Sequence, residues 1–168
     1  AYTGTDVCSL LDGLGTAQGQ IGDYVLISSS AVYPETLPQP FRETQQTGAN
    51  KYWGAYGVNK IAAEEELLRR VPDAYILRPP YLYGPMNNIY REAFVFECAD
   101  NRRKFYLPGD GGMKLQFFHV CDLCRCIEAI LDNHPSNHIF NVGNRECVSV
   151  REWVRQCYRA AGCGAEFE

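Results

Sequence analysis

The sequence predicts an α/β protein built on a parallel sheet, and three observations support this. Short apolar runs at 24–28, 74–77 and 139–142 alternate with longer segments of helical periodicity. The first of these runs is continuously apolar and does not alternate, as in a strand covered on both faces. Gly-, Pro- and Asn-bearing stretches separate the segments, which gives the strand–helix order of an α/β fold.

Taken in order, residues 6–14 read as a helix with Thr5 or Asp6 as N-cap and Gly13 or Gly15 as stop. The glycines of the 12–19 segment lie between this helix and the first strand, so they read as a helix stop and a loop. Residues 34–50 are a polar, Pro-bearing loop of the kind that frames a site on a rigid scaffold. A helix then runs from Lys51 or Tyr52 to Arg70 and ends before Pro72, with Ile61, Ala62, Leu67 and Leu68 at core-facing spacing. The strand at 74–77 runs into the Pro79-Pro80 break. A helix is expected over 89–101, a short strand over 104–107, and a turn at Gly109-Asp110-Gly111-Gly112. Residues 115–119 read as extended, and a helix capped by Asp122 follows to about Asn133. A strand at 139–142 and a helix at 150–161 complete the chain. There is no internal repeat, low-complexity segment or convincing interdomain linker.

The 168 residues are enough for one domain with a sizeable core, and 46% hydrophobic with 21% charged residues fits a globular chain. A net charge of −4 without a basic run leaves no electrostatic footprint for nucleic acid or a membrane surface. No apolar stretch approaches the ~18 residues of a membrane span, and no signal-peptide pattern opens the chain. Among the eight cysteines, Cys121, Cys124 and Cys126 fall on an amphipathic helical pattern. Cys121-x-x-Cys124 could suggest zinc or redox chemistry, but no second pair stands at ligand spacing, so no metal is expected.

The chemistry-bearing feature is Tyr56 followed four residues later by Lys60, a spacing that puts both on one helix face. A phenol with a pKa of ~10 serves as a base near neutrality only when a neighbouring cation stabilises the phenolate. Upstream, the strand Tyr24-Val25-Leu26-Ile27 runs into Ser28, Ser29 and Ser30, with Tyr33 shortly after. Downstream, Leu77-Arg78-Pro79-Pro80-Tyr81-Leu82-Tyr83-Gly84-Pro85 leads from a strand into a turn.

With these three motifs in this order, the chain resembles the extended short-chain dehydrogenase/reductase family, in its NAD-dependent epimerase/dehydratase branch. The resemblance runs over nearly the whole chain. It implies a Rossmann-like parallel sheet with helices, incomplete here, plus a small C-terminal substrate-binding lobe. Residues 1–83 would be the remaining half of the dinucleotide-binding fold with the catalytic motif. Residues 84–168 would be mainly the substrate lobe, with the last strand and helix. It further implies a catalytic triad of Ser29, Tyr56 and Lys60, Ser29 lying four residues before Tyr33 with Ser28 and Ser30 as its neighbours. Tyr56, Lys60, Pro80 and Tyr81 would meet NAD or NADP, and Ser30, Tyr33, Tyr83, Asn87 and Asn88 a small-molecule substrate. His119 reads as a structural histidine and Trp53 as packing.

Two departures matter. The Gly-rich turn between a strand and a helix N-terminus, which holds a dinucleotide pyrophosphate, does not occur. The chain is therefore expected to be the C-terminal part of a longer cytoplasmic enzyme, inactive alone, with disulfides disfavoured by the reducing compartment. Leaving strand 24–28 with an unpaired edge would favour self-association. Where the family carries an Arg that grips a substrate diphosphate, this chain has Leu115, with Lys114 on the opposite face of an extended segment. The expected function is NAD(P)-dependent epimerisation, dehydration or reduction of a sugar-like or other hydroxyl or carbonyl substrate. The rivals are a non-catalytic relative that binds a ligand, a partner or RNA, and a cysteine–metal module.

Overall fold

A computed structural model describes residues 1–15 and 21–167, so the loop expected at 16–19 lies outside the described residues. The chain forms two compact units. The first comprises Ala1–Pro80 and Asp122–Val142, the second Tyr81–Cys121 and Gly143–Glu168.

In the first unit, α1 (Gly4–Leu14) begins earlier than its acidic residue suggests. Thr3 is the N-cap: its side chain accepts from the Asp6 amide while the Asp6 carboxylate accepts from the Thr3 amide, a reciprocal capping box. Gly15 closes the helix. Strands β1 (Val25–Ile27), β2 (Tyr75–Arg78) and a later strand, Ile139–Asn141, form a parallel sheet with β2 in the centre. Leu26 stands opposite Ile76, and Arg78 opposite Asn141. One side of this sheet is covered by α1 and α2 (Gly54–Arg70) through Val7, Leu11, Leu26, Ala63, Leu67, Ala74 and Ile76.

The buried stripe of α2 differs from the expected one. It consists of Gly57, Lys60, Ala63, Glu64 and Leu67, while Ala62 is exposed and Ile61 and Leu68 are half-buried. Two ionisable residues thus face inward because groups on the sheet satisfy them. The helix also starts at Gly54 and not at Lys51, because Asn50 first holds a turn: its side chain accepts from the Tyr52 amide and its carbonyl from the Gly54 amide.

In the second unit, β3 (Tyr81–Tyr83) pairs in parallel with β5 (Phe117–His119), and β4 (Lys114–Leu115) pairs antiparallel with Val148–Ser149. Residues 81–83, read as part of the turn after the Pro79-Pro80 break, and 148–149 are thus strands that local sequence did not announce; each is short and exists through its partner. Conversely, 104–107 forms only a bridge from Phe105 to Phe167. The core lies between α3 (Glu92–Asp100) and the last helix, α5 (Val150–Ala160), around Val95, Phe105, Val154 and Tyr158. In chain order, α4 (Val120–Asn133) comes between these two helices. Asp122 sits inside its first turn, bonded to Arg125 (2.7 Å), and the capping acceptor is instead His119, whose Nδ1 receives the Cys121 amide (3.2 Å). Continuing in chain order, the sheet strand Ile139–Asn141 is β6 and Val148–Ser149 is β7. Among the described residues no helix is long and apolar enough to cross a membrane. Nor do any three His, Cys, Asp or Glu side chains among them gather to hold a metal.

Candidate active site

Helix geometry places Tyr56 and Lys60 one turn apart on α2. Lys60 is 6% exposed, and its Nζ donates to the carbonyls of Ile27 and Ala1, each at 2.9 Å. It also lies 4.9 Å from the centroid of the Tyr2 ring. Burial pulls its pKa below the ordinary 10.5, opposed by the nearby Glu64 and Asp6 carboxylates. Two of the three ammonium hydrogens are thereby engaged, leaving one for a further acceptor.

Tyr56 is half-buried, edge-on to Tyr2 (5.8 Å between centroids) and 6.1 Å from Trp53. Its hydroxyl makes no hydrogen bond to the described residues. Trp53, read from sequence as packing, is 40% exposed beside Tyr56.

The three consecutive serines are sorted by their partners. Ser28 is buried and donates its hydroxyl to the Glu64 carboxylate, so it is turned inward. Ser29, in extended conformation, caps the 3-10 turn Ser30–Val32 by accepting from the Ala31 amide (3.2 Å). An acceptor role leaves the Ser29 hydroxyl hydrogen free to donate. Ser30 is half-buried and tied by its amide to the Pro79 carbonyl (2.9 Å), which brings the serine turn to the end of β2 beside Pro80.

Tyr33, expected to touch substrate, is buried. Its ring is fully enclosed and stacked on Phe41 (4.8 Å), while its hydroxyl accepts from Arg78 (2.7 Å) and donates to Asn141 (2.9 Å). In the second unit, Tyr81 and Tyr83 lie on β3, with Tyr83 edge-on to His119 (5.0 Å). Asn87 has both ends of its amide engaged, donating to Glu92 (2.8 Å) and accepting from the Ile89 amide (3.1 Å), while Asn88 is exposed. Leu115 packs against the core between α3 and α5, and Lys114 is exposed.

Sequence reasoning missed Gly57 and the pair Glu64–Arg78. A Cβ on Gly57 would lie 2.5 Å from the Ala31 carbonyl oxygen, so only glycine lets α2 abut the serine turn. Gly57→Ala is expected to destabilise the chain by about 1–2 kcal/mol. Overpacking costs roughly 1–3 kcal/mol, partly offset by a helix-propensity gain of about 0.5–1 kcal/mol. Urea unfolding checks this, and an unchanged midpoint would contradict it. Glu64 and Arg78 form a buried ion pair (2.5 Å) with a second bond at 3.0 Å. Hydrogen bonding to Glu64 and its charge hold the Arg78 guanidinium above its ordinary pKa although burial opposes this. The available signals were a charge closing the apolar strand Tyr75-Ile76-Leu77, and a Glu four residues beyond Lys60 on the same helix face.

Comparison with known proteins gives the family and the fold. The profile of the NAD dependent epimerase/dehydratase family matches residues 5–143. GDP-L-fucose synthase 1 of Arabidopsis thaliana is 26% identical over 146 residues, covering 76% of this chain and 45% of that protein. The chloroplast stem-loop binding protein of 41 kDa b, from the same plant, is 26% identical over 145 residues, 85% of this chain and 37% of its own length. The chain thus spans about half the length, or less, of these curated relatives. Among solved structures, the UDP-N-acetylglucosamine 4-epimerase of Bacillus cereus superposes with a TM-score of 0.79 at 21% identity, over 96% of this chain and 57% of that one. The UDP-glucose 4-epimerase of Thermus thermophilus, in complex with NAD, gives 0.77 at 24% identity, over 96% and 55%. These likenesses establish a Rossmann-like α/β fold, and with the profile match over most of its length the chain belongs to the NAD dependent epimerase/dehydratase family.

Proposed function

We propose that this chain carries the proton-transfer half of an NAD(P)-dependent epimerase, dehydratase or reductase acting on a hydroxyl or carbonyl carbon of a sugar-like substrate. The observation that carries the reading is the pairing of an unengaged Tyr56 hydroxyl with a buried, oriented Lys60 one turn away. The nicotinamide cofactor, when bound, supplies the hydride donor or acceptor. The residues present fit such a group: the remaining Lys60 hydrogen suits a ribose hydroxyl, and Pro80 follows the strand end that the serine turn meets through the Ser30 amide and Pro79 carbonyl, Tyr81 being next in sequence. Tyr56 exchanges a proton with the substrate oxygen, and the Lys60 charge favours the phenolate that this leaves. Ser29 donates its free hydrogen to the same oxygen and so orients it. The candidates for substrate contact are Ser30 and Tyr33 in the first unit and Tyr83, Asn87 and Asn88 in the second. Leu115 offers no cation to a diphosphate, so an anchoring group for a nucleotide sugar must come from elsewhere.

Activity belongs to a protein in which these residues are joined to a dinucleotide-binding turn, in a cytoplasmic setting; the 168-residue chain alone is expected to be inactive. The test is NAD(P)-dependent turnover of nucleotide-activated and free sugars by such a longer protein, compared with its Tyr56→Phe variant. Equal rates in the two would overturn the reading.

The stem-loop binding relative supports a second reading, a scaffold of the same family that binds RNA. Gel-shift titration with a structured RNA separates the two: RNA affinity without cofactor-dependent turnover favours the second. Self-association is also proposed. Among the described residues β1 pairs only with β2, and Ile27 on it is 41% exposed. Light scattering at micromolar concentration is expected to show dimers or larger species, and a monodisperse monomer would count against it.

A further inference from the structure

Helix α2 grips the end of β1 at two consecutive residues. Lys60 Nζ donates to the Ile27 carbonyl (2.9 Å), and one turn later the Glu64 carboxylate receives the Ser28 hydroxyl. Glu64 is itself immobilised, because both its oxygens accept from Arg78, at 3.0 and 2.5 Å. Arg78 in turn donates to the Tyr33 hydroxyl (2.7 Å), which donates to Asn141 (2.9 Å). Asn141 then ties down the 34–50 loop: its amide donates to Glu43 (2.8 Å) and its side chain to the Phe41 carbonyl (3.2 Å). Ser28, Tyr33, Glu64 and Arg78 are all buried, and no buried side-chain polar atom among the described residues lacks a partner. A network so fully satisfied holds one arrangement.

We infer that Glu64 is a positioning residue: through Ser28 it fixes the backbone on which Ser29 stands, in register with Tyr56 and Lys60 on the same helix. The role of Ser29 and Tyr56 rests on the reading proposed above, but the geometry of the clamp does not. If the clamp served only overall stability, its loss would loosen the sheet and α2 as a whole. As a positioning device, its loss loosens the serine turn locally, because among the described residues the Ala31 amide bonds only to Ser29 Oγ (3.2 Å) and the Ser30 amide only to the Pro79 carbonyl (2.9 Å).

The experiment uses Ser28→Ala, which removes the link and leaves the Glu64–Arg78 pair in place, Ser28→Thr, which restores a hydroxyl, and the joint replacement Glu64→Leu with Arg78→Met. Hydrogen exchange of the 168-residue chain is expected to quicken about tenfold at Ser30 and Ala31 in Ser28→Ala and in the joint variant. It should be unchanged in α2 and β2, and recover in Ser28→Thr. In the longer protein, kcat should fall about tenfold with KM for cofactor unchanged. Exchange that is unaltered at Ala31, or quickened equally throughout the first unit, would overturn the inference. If the longer protein shows no Tyr56-dependent turnover, the functional reading fails, and the exchange pattern still decides the clamp.

Discussion

Glu64→Ala is expected to destabilise this chain by roughly 3–5 kcal/mol, the cost of removing one partner from a buried ion pair. The guanidinium left behind is 4% exposed at the end of a central strand, with no second carboxylate among the described residues bonded to it. Domains of this size hold a total of only about 5–15 kcal/mol, so the variant approaches the limit of folding. Most of the loss comes from the stranded charge, and replacing both partners by apolar side chains of similar volume avoids it. Urea unfolding of Glu64→Ala beside Glu64→Leu/Arg78→Met is therefore the informative comparison. The joint variant should regain most of the single variant's loss, and a single-variant loss below about 1 kcal/mol would show that the pair behaves as if solvent-exposed.

The second large effect follows from the proposed catalytic role, measured in a longer protein that carries a dinucleotide-binding turn. Tyr56→Phe and Lys60→Met are each expected to lower kcat by roughly a hundred- to ten-thousandfold, the span of a lost general acid–base group. The phenyl ring of Tyr56→Phe can keep the contacts with Tyr2 and Trp53, so its folding stability should match the native chain. Lys60→Met differs because the native ammonium is buried at a cost. The pKa of Lys60 is lower in the folded chain than its ordinary 10.5, so the unfolded chain binds more protons between those two values. Native stability should therefore rise with pH as it passes through the folded pKa toward 10.5, and Lys60→Met should lack that rise. Parallel unfolding series at increasing alkaline pH would reveal the difference, and identical slopes would contradict it.

The shared helix face of Tyr56 and Lys60 was legible because it is local. A Tyr and a Lys four residues apart share a face in any helix, and the continuous apolar runs at 24–28 and 74–77 announced parallel strands before any partner was known. What could not be read is what depends on contacts between distant residues. The resemblance singled out Ser29 by its spacing from Tyr33, but not the physical difference between Ser29 and Ser28. The distinction comes from Glu64, 36 residues away, which turns one hydroxyl inward and leaves the next free. The same holds for Tyr33, whose hydroxyl partner Asn141 lies 108 residues on.

The sequence by itself therefore determined the order and kind of the main elements and the chemical identity of the Tyr56–Lys60 pair, since both follow from backbone periodicity and side-chain type. The tertiary structure alone decided which polar groups are buried and matched, and hence which remain available for chemistry. It also decided that Asp122–Val142 returns to the first unit, where β6 pairs beside β2. The physical reason is that a buried polar group is tolerated only where a partner satisfies it, and partners separated by scores of residues are brought together only by the completed fold.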